Sequence, residues 1–384
     1  MAKIKDIATQ IRGVSYHPED LHDTLDENSV ILLRANNIKD GKLILDDAVY
    51  VSKSKVAKQQ YLQTGDILIC ASSGSKELVG KAAFVDSVKN PMTFGAFCKV
   101  VRPQPEYSEY LGHYFNSPVY RRKISALSAG ANINNIKNEH IDNLDIQLVD
   151  EKERREIITI LNELNMLISL RKRQLEKLDE LVRARFAEMF GDLDSRPKQK
   201  IKDITKRVKV GFVGTCEKYY TSNSEIPMLR TTNITAHGID LKDLKYVTKE
   251  FHEKNPKSQV HAGDLLIARH GANGQANAYY GREAQCLNAI IIEPDINITN
   301  SIFLEYLINS IDVKSQINKK LVGSTQHVLN TTTLANVEVS IPEMRKQQTF
   351  SAFVERVNQQ KQTVQQSLEK LELMKKALMQ EYFR

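Results

Sequence analysis

The feature that most constrains this chain is an internal repeat. "KIKDIA" at 3–8 returns as "KIKDIT" at 200–205, "LLRANNI" at 32–38 as "MLRTTNI" at 228–234, and "GDILI" at 65–69 as "GDLLI" at 263–267. Near the end of each half, "LEKLDEL" at 175–181 returns as "LEKLELM" at 368–374. The echoes keep their order, with offsets between 193 and 198 residues. Such an ordered series indicates a tandem duplication, so one fold must serve both halves of the 384-residue chain.

Both halves follow the same internal plan. Short apolar runs such as "VILLR", "DILIC" and "AFCKVV" alternate with turn residues and predict β-strands. A helix is expected near the end of each mixed segment, at 110–127 and at 302–321. A long stretch without glycine or proline follows, at 151–190 before Gly191 and again at 343–384. We therefore predict globular segments at 1–149 and 193–342, and long helices at 150–192 and 343–384.

The two long stretches carry heptads. Seven-residue spacing predicts an apolar seam on each helix, and such seams pair as coiled coils. The alternative is two separate amphipathic helices, but heptads in register with the repeat favour pairing. Lys361 and Lys375 fall at seam positions and could set the register. The predicted seam consists of Leu161, Leu164, Ile168, Leu175, Leu178, Val182, Val354, Val357, Val364, Leu368, Leu371 and Leu378.

Composition excludes several classes of protein. No apolar run approaches the roughly 18 residues that span a bilayer, and the first residues lack the apolar core of a secretory signal. The four cysteines are far apart, and the nine histidines form no metal-binding motif. We expect a cytoplasmic protein without membrane contact or a metal site. The net charge of +7 permits nucleic-acid binding, provided that the positive patch is local.

No catalytic motif is present in the sequence. "GSKELVGKA" at 74–82 resembles a phosphate loop, but five residues separate its glycines where the motif needs four. Ala82 also stands where a serine or threonine would reach Mg²⁺. There is no GxGxxG after a strand and no GxSxG. The sequence therefore favours a binding protein over an enzyme.

Polar loops lie at matching places in the two halves. They combine glycines with side chains that contact base edges and phosphates, although surface loops are commonly polar for no such reason. The candidate DNA contacts in these loops are Ser72, Ser73, Ser75, Lys76, Lys81, Asn132, Asn134 and Asn135 in the first half, and Arg269, His270, Asn273, Gln275, Ser324, Thr325, Gln326, His327 and Asn330 in the second.

Two further groups of candidates come from repeated positions. The first follows a predicted strand, where an asparagine can equally be a turn former: Arg34, Asn36 and Asn37, with Arg230, Thr231 and Asn233. The second lies near the ends of the predicted helices and could grip phosphates or simply form a solvated face: Arg121, Arg122 and Lys123, with Lys319 and Lys320.

The whole plan resembles the specificity (S) subunit of type I restriction-modification systems. The most specific parts are the duplicated "LLRANNI"/"MLRTTNI" and "GDILI"/"GDLLIARHG", "GSTQHVLN" before "VEVSIPEMRKQQ", and "LDELVRARFAEMFGD". The resemblance implies an α+β fold of two repeated α/β target-recognition domains, separated and joined by two long antiparallel coiled-coil helices with pseudo-two-fold symmetry. Departures occur: the first half has Ala71 and Ser72 where the second has Arg269 and His270.

The resemblance also implies a function and partners. Each domain of such a subunit reads one half of a split double-stranded DNA site, while the helices dock two methyltransferase (M) subunits and the complex adds restriction (R) subunits. This chain would then have no active site and no cofactor, with S-adenosylmethionine, ATP and Mg²⁺ on its partners. Residues 157–190 as a helix would span about 50 Å, against about 34–36 Å for one turn of DNA. Competing interpretations are a coiled-coil scaffold for proteins and a self-contained DNA-modifying enzyme.

Overall fold

The computed structural model describes residues 1–75, 77–129, 135–191, 197–235, 238–269, 274–321 and 328–384. The chain divides into two compact units. The first unit combines Met1–Arg173 with Gln365–Arg384, and the second unit is Gln174–Val364. Each unit therefore contains one globular segment together with part of both long helices.

The α-helices of the described residues are α1 (Ile4–Ile7), α2 (Ser108–Phe115), α3 (Pro118–Ala129), α4 (Asn138–Asp142), α5 (Glu151–Phe190), α6 (Lys249–Lys254), α7 (Ser301–Ile308), α8 (Ile311–Leu321), α9 (Thr331–Ala335) and α10 (Met344–Tyr382). Among the described residues, α2, α3, α4 and α5 recur in the same order as α7, α8, α9 and α10, whereas α1 and α6 have no α-helix at the equivalent place. The long helices have nearly the bounds that the sequence predicts, and α5 ends directly before Gly191.

The strands of the first unit form two four-stranded sheets, ordered β10-β4-β7-β3 and β2-β11-β8-β9, and the pairs β1-β12 and β5-β6. Strand β10 runs parallel to β4, and the other pairs are antiparallel. The strands are β1 (Ala2–Lys3), β2 (Ala8–Arg12), β3 (Leu21–His22), β4 (Ser29–Leu33), β5 (Ile38–Lys39), β6 (Lys42–Leu43), β7 (Val49–Ser52), β8 (Ile67–Cys70), β9 (Ala82–Phe84), β10 (Met92–Phe94), β11 (Cys98–Pro103) and β12 (Asp145–Ile146).

The second unit repeats this topology with one strand exchanged. Its sheets are ordered β18-β15-β22-β19 and β14-β23-β20-β21, with the pairs β13-β24 and β16-β17. Strand β15 runs parallel to β22, as β4 does to β10. The strands are β13 (Lys198–Lys200), β14 (Thr205–Val210), β15 (Ile226–Arg230), β16 (Ile234–Thr235), β17 (Gly238–Ile239), β18 (Lys245–Val247), β19 (Gln259–Val260), β20 (Leu265–Ala268), β21 (Ala276–Ala278), β22 (Ala284–Leu287), β23 (Ala289–Pro294) and β24 (Glu338–Ser340).

The repeated "GDILI" and "GDLLI" segments have a physical reason. Gly65 and Gly263 have φ of +92° and +95°, which favours glycine. The next residue, Asp66 or Asp264, is buried and paired with an arginine of the same unit. The strand that follows this turn, β8 or β20, is fully buried within its unit.

The helices predicted at 110–127 and 302–321 are each two helices. The break falls at the repeated Asn-Ser pair, and Pro118 begins α3, where a proline is compatible with a first turn but not with a helix interior. The Ser117 hydroxyl accepts a hydrogen bond from the Tyr120 amide at 3.1 Å, and Ser310 does the same for Val313 at 3.4 Å. The serine of each repeated Asn-Ser pair therefore caps the N-terminus of the second helix, Ser117 for α3 and Ser310 for α8.

In the first unit, both long helices pack on the globular segment. Ile157 and Leu161 of α5 share one core with Met379 and Phe383, which come from the last residues of the chain. The Phe383 ring lies 5.1 Å from that of Tyr110, between ring centroids. Further along the pair, Lys172 of α5 meets Glu372 of α10. The two helices therefore run antiparallel in this unit.

The second unit contains the other parts of the same helices. Phe186 and Phe190 of α5 lie 5.4 and 5.6 Å from Phe350 of α10, between ring centroids. Closer to the other end, Asp179 of α5 forms an ion pair with Lys361 of α10. This order again makes the helices antiparallel, so the predicted pairing is confirmed. All twelve predicted seam residues are buried or half-buried.

Candidate nucleic-acid interface

In the first unit, the ends of several strands meet and bring distant sequence positions together. Phe94, the last residue of β10, is registered beside Leu33 at the end of β4, and the Gly95 amide donates to the Leu33 carbonyl at 2.9 Å. Cys98 at the start of β11 faces Cys70 at the end of β8. The loops that follow these strands therefore emerge side by side.

Backbone hydrogen bonds fix the loops to one another. The Ala71 and Ser72 amides both donate to the Phe97 carbonyl, at 2.9 and 3.0 Å. Ser72 also forms a β-bridge with Asn135, and the neighbouring Ile136 amide donates to the Ala71 carbonyl at 2.7 Å. We call residues 34–36, 71–73, 95–97 and 135 the first loop cluster. It brings together five of the predicted DNA contacts: Arg34, Asn36, Ser72, Ser73 and Asn135.

The second unit builds the equivalent arrangement. Arg230, at the end of β15, is registered beside Leu287 at the end of β22. The Thr231 hydroxyl donates to the Asn288 carbonyl at 3.2 Å. Residues Arg269 and Leu329 are joined by two bonds of 3.2 Å, from the Leu329 amide and from the Arg269 Nε. We call residues 230–232, 269, 288 and 329–330 the second loop cluster.

Arg34 and Arg230 occupy the same place in the two units. Arg34 Nη2 donates to the Asp47 carbonyl at 3.1 Å, and Arg230 Nη2 donates to the Asp243 carbonyl at 2.7 Å. The Nε of each is buried and has no hydrogen-bond partner among the described residues. Both guanidinium groups are thus bonded to a backbone carbonyl of their own unit, and Arg230 Nη2 also lies 3.5 Å from the Asp243 carboxylate.

Asn37 and Asn233 have a clear structural role. Each side-chain oxygen accepts a hydrogen bond from the backbone N–H three residues earlier, at 2.8 and 2.9 Å, and each side-chain amide bonds a carbonyl seven residues later. Both residues are buried. The turn-forming role therefore accounts for these two asparagines, and their contact with DNA stays a prediction.

Two of the basic residues hold loops of their own unit. Arg121 donates to the carbonyls of Val79 and Glu77, at 2.9 and 3.2 Å. Lys314, at the equivalent position of α8, donates to the carbonyl of Gly274 at 2.5 Å, and burial lowers its pKa to about 8. Lys314 is not among the predicted DNA contacts, although its place in the repeat, equivalent to that of Arg121, is a signal that identifies it. Both cations anchor the loop that follows the central strand, β8 or β20.

The remaining candidates vary in their surroundings. Lys123 and Lys320 donate to backbone carbonyls, at 2.8 and 3.1 Å, while Arg122 and Lys319 are exposed. The Asn330 side chain caps α9 by accepting from the Thr333 amide at 2.7 Å. Ser75 and Lys81 are exposed, and Ser73 and Gln275 are half-buried. Nine candidates lie outside the described residues: Lys76, Asn132, Asn134, His270, Asn273, Ser324, Thr325, Gln326 and His327.

Phe97 is a member of the first loop cluster that the sequence analysis missed. The run "AFCKVV" predicts a strand, but β11 begins only at Cys98, so Phe97 belongs to the turn before it. Its side chain is 72% exposed. An apolar residue directly before an apolar strand gives no periodic signal that separates turn from strand.

Two properties of the described part of the chain bear on the chemistry of the molecule. It contains no group of three or more histidine, cysteine, aspartate and glutamate side chains arranged to hold a metal ion. Its helices include none that is long and apolar enough to cross a membrane. The expectation about cofactors on partner subunits is not tested by these observations and stays a prediction.

Comparison with known families gives a consistent result. Residues 1–180 and 199–373 both match the model of the type I restriction modification DNA specificity domain. The type I restriction enzyme EcoKI specificity subunit of Escherichia coli K12 is 32% identical over 287 residues, which cover 71% of this chain and 61% of that protein. The StySPI specificity subunit of Salmonella potsdam is 30% identical over 383 residues, covering 93% and 81%. The chain thus spans less than two thirds of the E. coli relative.

Solved structures show the same fold at low sequence identity. The S subunit of a type I restriction-modification system from M. genitalium superposes with a TM-score of 0.55 at 14% identity, covering 100% of this chain and 95% of the other. A chain from a structural study of type I restriction-modification complex assembly gives the same TM-score and identity, covering 100% and 97%.

Proposed function

This chain belongs to the family of type I restriction-modification DNA specificity subunits, and from that membership we propose that it reads a DNA sequence in two separated halves, one with each unit. The observation that carries the proposal is the repetition of the loop cluster. Arg34 and Arg230 emerge from equivalent strand ends in the two units, beside polar loops fixed by backbone hydrogen bonds. Two similar but chemically different clusters suit two different half-sites.

We further propose that the chain has no active site and directs other subunits to the DNA. Methyltransferase subunits would act on adenine with S-adenosylmethionine, and restriction subunits would use ATP and Mg²⁺. The α5 and α10 helices offer a docking surface for such partners in the first unit. Six large apolar side chains are exposed on them, and exposed apolar groups on a helix pair indicate a binding surface: Ile160, Met166, Leu167, Leu170, Leu373 and Met374.

The proposal is tested by base-resolved detection of methylated adenine in DNA from cells that express this chain with a methyltransferase subunit. Cells with the methyltransferase subunit alone are the control. We expect a split motif of two short defined halves around unspecified bases, present only with this chain. A single continuous motif would mean that one unit alone reads DNA. Methylation that does not depend on the chain would favour the scaffold interpretation instead.

A further inference from the structure

Phe97 is unusual among the phenylalanines of this protein. The chain has twelve phenylalanines, all within the described residues, and Phe97 is the only one that is exposed. Single exposed apolar residues are common and by themselves need no explanation. What distinguishes Phe97 is the place of its side chain in the fold.

The placement of Phe97 is set by the first loop cluster. Its carbonyl accepts hydrogen bonds from the Ala71 and Ser72 amides, and the turn is closed by the Cys98 amide donating to the Gly95 carbonyl at 2.8 Å. Gly95 is in turn bonded to the end of β4, just before Arg34. The exposed Phe97 ring is thus attached to a backbone that hydrogen bonds hold in place beside predicted DNA contacts such as Ser72.

The second unit has no aromatic residue at the matching turn. Three residues join β10 to β11, whereas Asn288 alone joins β22 to β23. Asn288 has a φ of +57°, and its carbonyl accepts the Thr231 hydroxyl. An exposed ring at this turn is therefore a feature of one repeat only, so the framework shared by the two units does not account for it.

Resting on the proposed function, we propose that Phe97 stacks on a base step of the first half-site and unstacks it, so that this half-site is read partly through DNA distortion. Apolar side chains that wedge between base steps unstack and kink DNA, and a base can stack on an aromatic ring. The second half-site, read by a cluster without such a ring, is not distorted in this way.

The test uses the full chain in complex with its methyltransferase subunit and duplexes that contain the split motif. 2-Aminopurine is placed in turn at each position of both half-sites, except at the methylated adenine. We expect wild-type complex to raise the fluorescence at one position of the first half-site only. Phe97→Ala should abolish that rise and weaken binding about tenfold, as loss of one base–aromatic stack does. Phe97→Tyr should retain both.

Leu25→Ala is the matched control. Leu25 is 44% exposed and lies in the loop before β4, at the opposite end of that strand from Arg34. It should change neither fluorescence nor binding. If Phe97→Ala leaves both fluorescence and DNA binding unchanged, the inference is wrong. It is also wrong if Phe97→Ala weakens recognition of both half-sites equally and lowers the melting temperature of the protein. A wild-type complex that shows no split motif would overturn the proposed function itself.

Discussion

Individual side chains show where the two repeats agree and where they have diverged. Gly112 of α2 leaves room for the Phe84 ring, because a Cβ there would lie 2.6 Å from that ring. In the second unit the corresponding residues are Glu305 and Ala278, and the Ala278 amide donates to the Glu305 carboxylate at 2.9 Å. Burial raises the pKa of Glu305 to about 7. An apolar contact in one repeat is thus a polar contact in the other.

A first prediction at this scale concerns His113, which joins α2 to α5 through a 3.0 Å bond between its Nε2 and Asn162 Oδ1. Burial lowers the pKa of His113 to about 4, below its ordinary 6.5. Between these values the unfolded chain binds a proton that the folded chain does not, so stability falls as the pH falls from about 6.5 to 4. At pH 5 this costs about 2 kcal/mol relative to pH 7.5.

Hydrogen exchange at the α2 amides, compared at pH 5 and 7.5 after correction for intrinsic rates, measures this loss. His113→Gln keeps a hydrogen-bond donor but cannot be protonated in this range, so the difference between the two pH values should shrink by about that amount. A variant with the same pH dependence as wild type would contradict the assignment to His113.

A second prediction concerns the loop anchors Arg121 and Lys314. Without its cation, a loop loses one or two hydrogen bonds that position it, so Arg121→Ala should reduce discrimination at the first half-site by roughly tenfold. Lys314→Ala should do the same at the second. Methylation rates on duplexes with one changed base in either half-site give the discrimination.

Each anchor variant is the control for the other, because each half-site should respond to one variant only. Arg121→Lys and Lys314→Arg keep a cation and should restore part of the loss. Equal loss at both half-sites from either variant would mean that the substitution acts through general stability.

At the scale of elements, the sequence predicted most of what the structure shows. Sustained heptads and the absence of glycine and proline predict α5 and α10 to within about two residues of their ends. The predicted helices did not include the breaks before α3 and α8. Pro118 is a sequence signal for the first break, because proline is incompatible with a helix interior. The Asn-Ser pair before α8 is compatible with a helix until a capping geometry is known. Asn37 was an open case since one side chain can form a turn or contact a base. The sequence places Phe97 in a predicted strand, because the apolar residues that follow it give no sign that a turn comes first.

The ion pair between Asp179 and Lys361 gives a prediction at the element scale. Its side chains are 23% and 25% exposed, so the pair is largely removed from water. Asp179→Leu would leave Lys361 without this carboxylate in the seam and should destabilise the second unit by about 1–3 kcal/mol. Asp179→Leu with Lys361→Leu should recover most of that loss, because an apolar pair suits the seam.

Urea unfolding of the single and double variants measures both effects. The pair of Lys172 and Glu372 in the first unit is the matched control, because its side chains are 54% and 48% exposed. Glu372→Leu should cost less than about 1 kcal/mol. A double variant at 179 and 361 that is no more stable than the single one would show that the pair is required for packing as well as charge.

For the whole molecule, the repeat predicts that the two readers are independent modules. Replacing residues 1–146 by the corresponding segment of a relative with another target should change one half-site and leave the other intact. The exchange must preserve the contact of Tyr110 and Tyr114 with Phe383, since that contact packs the segment against the residue that follows α10. Base-resolved methylation of the chimera gives the result, and a change in both half-sites would refute modular reading.

The division of the long helices between the units has a consequence for synthesis on the ribosome. Residues 365–384 belong to the first unit, and Met379 and Phe383 are buried in its core. The second unit ends at Val364. A nascent chain therefore completes its later half before its earlier one, the reverse of the usual vectorial order in which N-terminal domains fold first. The first half must wait, with part of its core open, until the last helical turns have emerged.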